Sequence, residues 1–220
     1  MQNIPKCNAE KGVITMMTLQ DKKENLIQME WQQFYQVHNE GGRASCQEDP
    51  KTFAIMRRSQ FTAWPEALVD SYTADLEAAE EVGRNLLTEK YAWMMEDTAP
   101  EEFAQLRRFL PEPSLLQKEM LDEITQIQIA WMREYAEKYP RLAAGNRAIR
   151  AAEATPGETS FETYLRGELH TYSEDTLLLY RDMIRSLKAQ GVNMSLLIME
   201  ANVKAYGYQS LEDAEKRLKK

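Results

Sequence analysis

Apolar side chains recur at helical spacing along nearly the whole chain, and proline or glycine residues interrupt the pattern at intervals. No alternating run of Val, Ile, Thr or Tyr is bounded by turn residues, so strand signals are nearly absent. The spacing therefore predicts an all-α protein. At 220 residues and 43% apolar content the chain can bury a sizeable core. We predict a single-domain helical bundle over residues 18–220, with about eight or nine helices and a flexible N-terminal arm over residues 1–17.

Capping residues and helix breakers predict where the helices begin and end. The first helix is expected over residues 18–39, with His38 on its apolar face and a stop at Gly41. One long late helix is expected over residues 160–190, and at roughly 45 Å it would span the bundle. Further starts and breaks are expected at Asp49-Pro50, Gly83, Ser114, Asn193 and Ser210.

Charge and cysteine content limit the partners and the compartment. The net charge of -8 opposes binding to phosphate backbones and anionic lipid surfaces, so neither nucleic acid nor a membrane is expected as a partner. Only two cysteines occur, and no apolar run has the length of a signal peptide or a membrane span. We predict a soluble, cytoplasmic protein.

The run from His38 to Gln47 has the densest set of groups able to bind a ligand. It places an imidazole, an amide, a carboxylate, a guanidinium, a hydroxyl and a thiol around two glycines. Loops on a rigid scaffold often have functional roles. Together with a carboxylate on the preceding helix, the predicted ligand-binding residues are Glu30, His38, Asn39, Glu40, Gly41, Gly42, Arg43, Ser45 and Gln47.

Two interpretations of the glycine–arginine block remain open. Gly41 and Gly42 free the backbone to expose its N–H groups, and Arg43 offers a fork of donors suited to a carboxylate or phosphate. An anionic ligand would fit this set. Alternatively, the glycines only stop the helix, and Arg43 pairs with Glu40 or Glu168 to join two helices.

Cys46 is a candidate nucleophile, because a nearby cation would favour its reactive thiolate. Free cysteines are more often inert packing groups, and this interpretation is favoured. His38 is likewise expected to be a core or helix-end histidine more often than a catalyst.

Glu168 and Tyr172 lie four residues apart, so they share one face of the late helix near its apolar stripe. A carboxylate directed to the interior must be paired, hydrogen-bonded or protonated. Catalytic roles are therefore assigned to Cys46, Glu168 and Tyr172 as hypotheses. For Glu168, an ion pair with a buried arginine is the favoured alternative.

No metal ligands are assigned. The chain has no Cys-x-x-Cys, His-Glu-x-x-His or paired Glu-x-x-His motif, which excludes a zinc or di-iron site by motif. A carboxylate-rich site remains open, and the cofactor is unknown.

Three blocks of sequence resemble a known family. They are Met29-Glu30-Trp31 leading into residues 39–47, then Trp64-Pro65-Glu66, then residues 164–169 with Thr171-Tyr172-Ser173. Together they resemble a bacterial domain of unknown function, found chiefly in anaerobic Gram-positive bacteria, and the likeness covers the chain from about residue 24. Members also occur joined to a nucleotidyltransferase-like domain. The resemblance therefore implies a helical unit that accompanies a catalytic one.

These observations lead to two functional hypotheses. In the first, a polar pocket between the exit of the first helix and the Glu168 face binds a small anionic or amino-acid-like ligand and acts on it as an enzyme. In the second, the same groups saturate one another, and the chain is a non-enzymatic module that binds a protein partner.

Overall fold

The computed structural model describes residues 17–38 and 42–218. Within these residues the chain is all-α, as predicted, with no β-strand. It contains eleven α-helices rather than eight or nine: α1 (Leu19–Tyr35), α2 (Pro50–Gln60), α3 (Glu66–Glu81), α4 (Leu86–Thr98), α5 (Pro100–Leu106), α6 (Leu115–Lys138), α7 (Pro140–Ala143), α8 (Phe161–Leu169), α9 (Glu174–Ala189), α10 (Met194–Ala205) and α11 (Leu211–Arg217). Most of the predicted N-terminal arm lies outside the described residues, as do Asn39, Glu40 and Gly41.

Local sequence signals place most helix starts correctly. The side chains of Asp49, Ser114, Asn193 and Ser210 each accept a hydrogen bond from a backbone N–H in the first turn of the helix that follows. Gly83 adopts a φ of 73°, which favours glycine, and it separates α3 from α4.

The first helix ends earlier than predicted, at Tyr35. The side chain of Gln47 donates to the backbone carbonyls of Phe34 at 2.9 Å and Val37 at 2.8 Å. These bonds satisfy carbonyls at the exit of the helix, so the chain can leave it there. His38 consequently lies in the exposed segment beyond α1, and its predicted place on the inner face is wrong.

The predicted long late helix is two helices, α8 and α9. Ser173 caps α9 by accepting from the backbone N–H of Thr176 at 3.2 Å, and its own N–H donates to Asp75 of α3 at 3.0 Å. Because the chain turns here, α8 packs against α4 while α9 packs against α3 and α6.

Gly167 lets α8 approach α4 closely. A Cβ at this position would lie 2.6 Å from the side chain of Met94 and 2.9 Å from the backbone carbonyl oxygen of Lys90. The approach places Glu168, the next residue, within reach of the side chain of Lys90.

Two apolar clusters form the core. The larger one is built mainly from α1, α3, α6, α8 and α9, and a smaller one lies where the end of α6 meets α10 and α11. Helical spacing in the sequence predicts Leu115 and Leu116 on the apolar face of α6, with Met120 and Ile124, but 74% and 40% of their surfaces remain exposed. The burial that this spacing predicts for these two residues is wrong.

Candidate functional site

Four buried charged side chains contact one another in the interior, one each from α1, α2, α4 and α8. Glu30 is fully buried, while Arg57, Lys90 and Glu168 keep no more than 7% of their surfaces exposed. We call these four residues the buried charge cluster. Two carboxylates face two cations, so the cluster is neutral when all four groups are ionised.

Arg57 lies at the centre of the buried charge cluster. Its Nε donates to Glu30 Oε2 at 2.5 Å, and its Nη2 donates to the other oxygen of the same carboxylate. The guanidinium also donates to both oxygens of Glu168 at 3.1–3.2 Å. Lys90 Nζ approaches Glu168 Oε2 to 2.6 Å. Both carboxylates are therefore held by paired donors.

Tyrosine hydroxyls complete the coordination of the carboxylates. Tyr72 donates to Glu30 at 3.0 Å, and Tyr172 donates to Glu168 at 2.9 Å. Burial next to these carboxylates raises the pKa of both tyrosines well above the usual range. Both hydroxyls thus remain protonated donors at neutral pH.

The pKa values of the two carboxyl groups are shifted in opposite directions. Burial opposes ionisation of Glu168, but Arg57 and Lys90 outweigh it and hold the pKa of that carboxyl well below its usual range. Burial raises the pKa of Glu30 by more than the positive charge of Arg57 lowers it. With every charged group engaged, the cluster has the character of a joint between four helices.

The structure brings together three predicted site residues, Glu30, Glu168 and Tyr172, but with a different arginine. Arg43 was the predicted partner, and Arg57 takes that place. The alternative interpretation of Glu168, an ion pair with a buried arginine, is confirmed.

The sequence did contain a signal for the missed residues. Arg57 lies four residues after Phe53 and four before Phe61, and Lys90 lies four before Met94, all on apolar helix faces.

The loop after α1 has one buried side chain that fixes it to the helix, and several side chains that are exposed to solvent. Gly42 adopts a φ of 87°, and a short 3₁₀ turn follows at Ser45–Glu48. Gln47, predicted to bind a ligand, is buried and instead fixes the loop to the end of α1. The side chains of Arg43, Ser45 and Cys46 are exposed.

Tyr91, Arg147 and Tyr164 form a second polar group, which we call, together with Cys46, the tyrosine–arginine surface. The hydroxyls of Tyr91 and Tyr164 lie 3.5 Å apart, and the guanidinium of Arg147 lies 4.3 Å from the centre of the Tyr164 ring. Burial raises the pKa of Tyr91, the charges of Tyr164 and Cys46 raise it further, and the charge of Arg147 lowers it. Two phenols and a guanidinium thus lie together, with a thiol in their electrostatic range.

The two polar groups meet at one aromatic ring. Lys90 Nζ lies 4.9 Å from the centre of the Tyr164 ring while it binds Glu168. Since Arg147 also contacts this ring, Tyr164 connects Arg147 to the buried charge cluster.

Arg43 has a different environment. Its guanidinium lies 3.8 Å from the centre of the Tyr35 ring, and it makes no ion pair with any carboxylate in the described part of the chain. Its predicted pairing with Glu168 is wrong, and its predicted pairing with Glu40 involves a residue outside the described part.

Cavities occur elsewhere in the described part of the molecule. One of about 410 Å³ lies between the end of α4 and the loop before α8, and three of its lining residues are Glu96, Asp97 and Glu158. A smaller one of about 40 Å³ is lined by residues of α1 and the α3–α4 turn. Neither is lined by the buried charge cluster or the tyrosine–arginine surface.

Residues 17–38 and 42–218 contain no group of three or more His, Cys, Asp or Glu side chains arranged to hold a metal ion. None of the described helices is both long and apolar enough to cross a membrane.

Comparison with known families adds one finding. The model of a family described as protein of unknown function (DUF4125) matches residues 21–216. The chain belongs to this family. The DUF4125 match includes the loop, the buried charge cluster and the tyrosine–arginine surface. No curated protein and no solved structure matches the chain.

Proposed function

We propose that this DUF4125 protein binds a small ligand bearing a carboxylate or phosphate group at the tyrosine–arginine surface. The observation that supports this most directly is Arg147. Its guanidinium rests on the Tyr164 ring and makes no ion pair within the described residues. A planar guanidinium with free donors can bind a carboxylate or phosphate through two hydrogen bonds.

The surroundings of Arg147 add donors for the same ligand. The hydroxyls of Tyr91 and Tyr164 lie side by side, and each can turn its proton towards an acceptor. In contrast, the donors of the buried charge cluster are already engaged with its own carboxylates.

Catalysis on the bound ligand is a narrower version of the proposal, and it depends on Cys46. Cys46 has the exposed thiol of this surface, and its thiolate form would be the strongest nucleophile there. Glu168 and Tyr172 support Lys90 and Arg57 in this version and do not touch the ligand.

Native mass spectrometry of freshly purified protein tests the proposal, because it shows whether a small molecule remains bound. We expect an adduct that is absent in Arg147→Ala. Titration of the emptied protein with inorganic phosphate and with succinate, followed by thermal shift, should show stabilisation in the parent protein only. A clean mass together with no shift from either anion overturns the proposal.

The matched control is Arg108→Ala. Arg108 is exposed, lies over the ring of Phe109 and makes no ion pair in the described chain, so it reproduces the local setting of Arg147 elsewhere. It should leave the adduct and the shift unchanged. Cys46→Ser should keep binding but abolish turnover if the catalytic version holds.

A second proposed function is that of a non-enzymatic module that binds a protein partner, either alone or beside a separate catalytic domain. It is favoured by four large apolar side chains that are exposed within one short segment, between the end of α5 and the first turn of α6: Leu106, Phe109, Leu115 and Leu116.

A further inference from the structure

A small pocket lies between the second half of α1 and the turn that joins α3 to α4. Its volume is about 40 Å³, which corresponds to about three water molecules. Three glutamines of α1 and its C-cap face three polar residues of the turn across it: Gln32, Gln33 and Gln36, and Glu80, Arg84 and Asn85. We call it the amide pocket. Because its volume is so small, the polar groups that line it can contact the same ligand.

Gln33 is the most deeply buried residue of the amide pocket, with 7% of its surface exposed. Its Oε1 accepts from the backbone N–H of Leu86 at 2.8 Å, so the side chain is held in one orientation. Asn85 fixes the same turn by donating from Nδ2 to the backbone carbonyl of Gln33 at 2.9 Å. The Nε2 of Gln33, in contrast, has no hydrogen-bond partner among the described residues. A nearly buried amide with an unused donor favours a ligand that brings an acceptor.

Two exposed charged side chains of the amide pocket also have unused hydrogen-bonding capacity. The carboxylate of Glu80 makes no hydrogen bond and no ion pair within residues 17–38 and 42–218. Arg84 donates from Nε and from Nη2 to Glu89 at 2.7 Å each, which fixes its guanidinium, and its Nη1 has no partner in the same part of the chain. The pocket therefore offers a negatively charged acceptor and a positively charged donor to one small volume.

A ligand that satisfies the amide pocket must have both a donor and an acceptor. An ammonium group would bind the Glu80 carboxylate, and a carboxylate would accept from Gln33 Nε2 and from Arg84 Nη1. In an α-amino acid both groups are attached to one carbon, so both can enter a pocket of this size. We infer that the amide pocket binds a free α-amino acid by its ammonium and carboxylate groups, with the side chain of the amino acid directed towards solvent.

Simpler ligands satisfy only part of the amide pocket. A carboxylate or phosphate alone would lie beside the unpaired negative charge of Glu80, and a cation alone would leave the free donors of Gln33 and Arg84 without an acceptor. The inference is independent of both proposed functions. The amide pocket shares no residue with the tyrosine–arginine surface and includes none of the exposed apolar side chains between α5 and α6.

Saturation-transfer difference NMR on the full chain tests the inference with three small molecules. The first is alanine, the second is N-acetylalanine, which lacks the ammonium group, and the third is alaninamide, which lacks the carboxylate. We expect alanine to bind saturably. Each derivative should bind at least about tenfold more weakly, because it loses one set of charged hydrogen bonds.

Glu80→Gln and Arg84→Gln should each weaken the binding of alanine by about tenfold or more. Glu81→Gln is the matched control for the first, because Glu81 is the next exposed carboxylate of α3 and does not line the pocket. Arg58→Gln is the control for the second, because Arg58 makes the same kind of two-bond pair, with Glu24. Both controls should bind alanine like the parent protein. All four variants change exposed side chains and should melt close to the parent.

Three outcomes overturn the inference. The first is no saturable binding of alanine, which leaves only water for the amide pocket. The second is that N-acetylalanine or alaninamide binds as tightly as alanine, which assigns the pocket to carboxylates or to amines in general. The third is that neither Glu80→Gln nor Arg84→Gln weakens the binding of alanine. If Arg147→Ala abolishes binding in that case, the amino acid is a ligand of the tyrosine–arginine surface, and the first proposed function stands without this inference.

Discussion

The buried charge cluster and the tyrosine–arginine surface are built from similar side chains but differ in what those side chains bind. In the cluster, each carboxylate is held by cations and by a tyrosine hydroxyl, all within hydrogen-bonding distance. At the surface, Arg147 rests on a ring and has no carboxylate partner among the described residues. Burial forces polar groups to satisfy one another, whereas exposure leaves them free for a ligand.

The comparison also teaches that a dense set of charged residues is not by itself an active site. Glu168 and Tyr172 have the burial and the shifted pKa values expected of catalytic groups. Their charged neighbours, Arg57 and Lys90, bind the Glu168 carboxylate, so the same values are also those of a structural joint.

The largest expected effect is from Arg57→Met. It removes the central cation and leaves Glu30 and Glu168 buried with too few partners. We expect a loss of about 3–5 kcal/mol in the free energy of unfolding, measured with urea. Arg58→Met is the control, because Arg58 pairs with Glu24 at the surface and should cost less than about 1 kcal/mol. Similar losses in the two variants would contradict the structural role of the cluster.

His170, which lies outside the cluster, is expected to make stability depend on pH. The pKa of His170 is lowered to about 4 from an ordinary value of 6.5, so the unfolded chain takes up a proton at this residue before the folded chain does. Stability should fall as the pH drops from about 6.5 to about 4, by at most about 3 kcal/mol.

Glu168 should not contribute to the upper part of that window. Its folded pKa is lowered, so its stabilising effect is complete above the ordinary value of 4.5 and is lost only as the pH falls further. Urea unfolding at several pH values should show a fall between pH 6.5 and 5 that His170→Gln removes. If the free energy of unfolding falls as much in His170→Gln as in the parent protein, another residue is responsible for the pH dependence.

Gln47→Ala tests whether the buried Gln47 side chain holds the loop against the end of α1. The change removes two hydrogen bonds to carbonyls at the end of α1 and a third that Gln47 accepts from the backbone N–H of Ala44, and it should cost about 2 kcal/mol. Gln36→Ala, at the exposed end of the same helix, should change little. If both variants unfold together with the parent protein, Gln47 does not hold the loop.

The smallest expected effect is from Arg43→Ala. The side chain is exposed and contacts the ring and backbone of Tyr35, so its loss should change stability by no more than about 0.5 kcal/mol. A large decrease in the melting temperature would instead show that Arg43, like Gln47, contributes to the stability of the fold.

Sequence patterns predicted the all-α class and most helix starts, because caps and breakers act over a few residues. Asp49, Ser114 and Asn193 each bond to the turn that follows them. The division between α8 and α9 was missed because no proline or glycine marks it. Ser173 caps α9, and Asp75 from a distant helix supports the turn.

The site was harder to predict because its partners are far apart in the chain. Glu30, Glu168 and Tyr172 were identified from apolar helix faces, but the choice between Arg43 and Arg57 depends on tertiary packing. Periodicity also failed for Leu115, since a helical pattern shows which side is apolar but not whether anything covers it.

The close approach of α8 to α4 has a consequence for synthesis on the ribosome. Arg57 and Lys90 are separated from Glu168 by 111 and 78 residues, so both cations are made long before their shared carboxylate. A nascent chain that lacks α8 has one buried carboxylate for two cations, which disfavours early closure of the core. Productive folding is therefore expected to wait until residue 168 has left the exit tunnel.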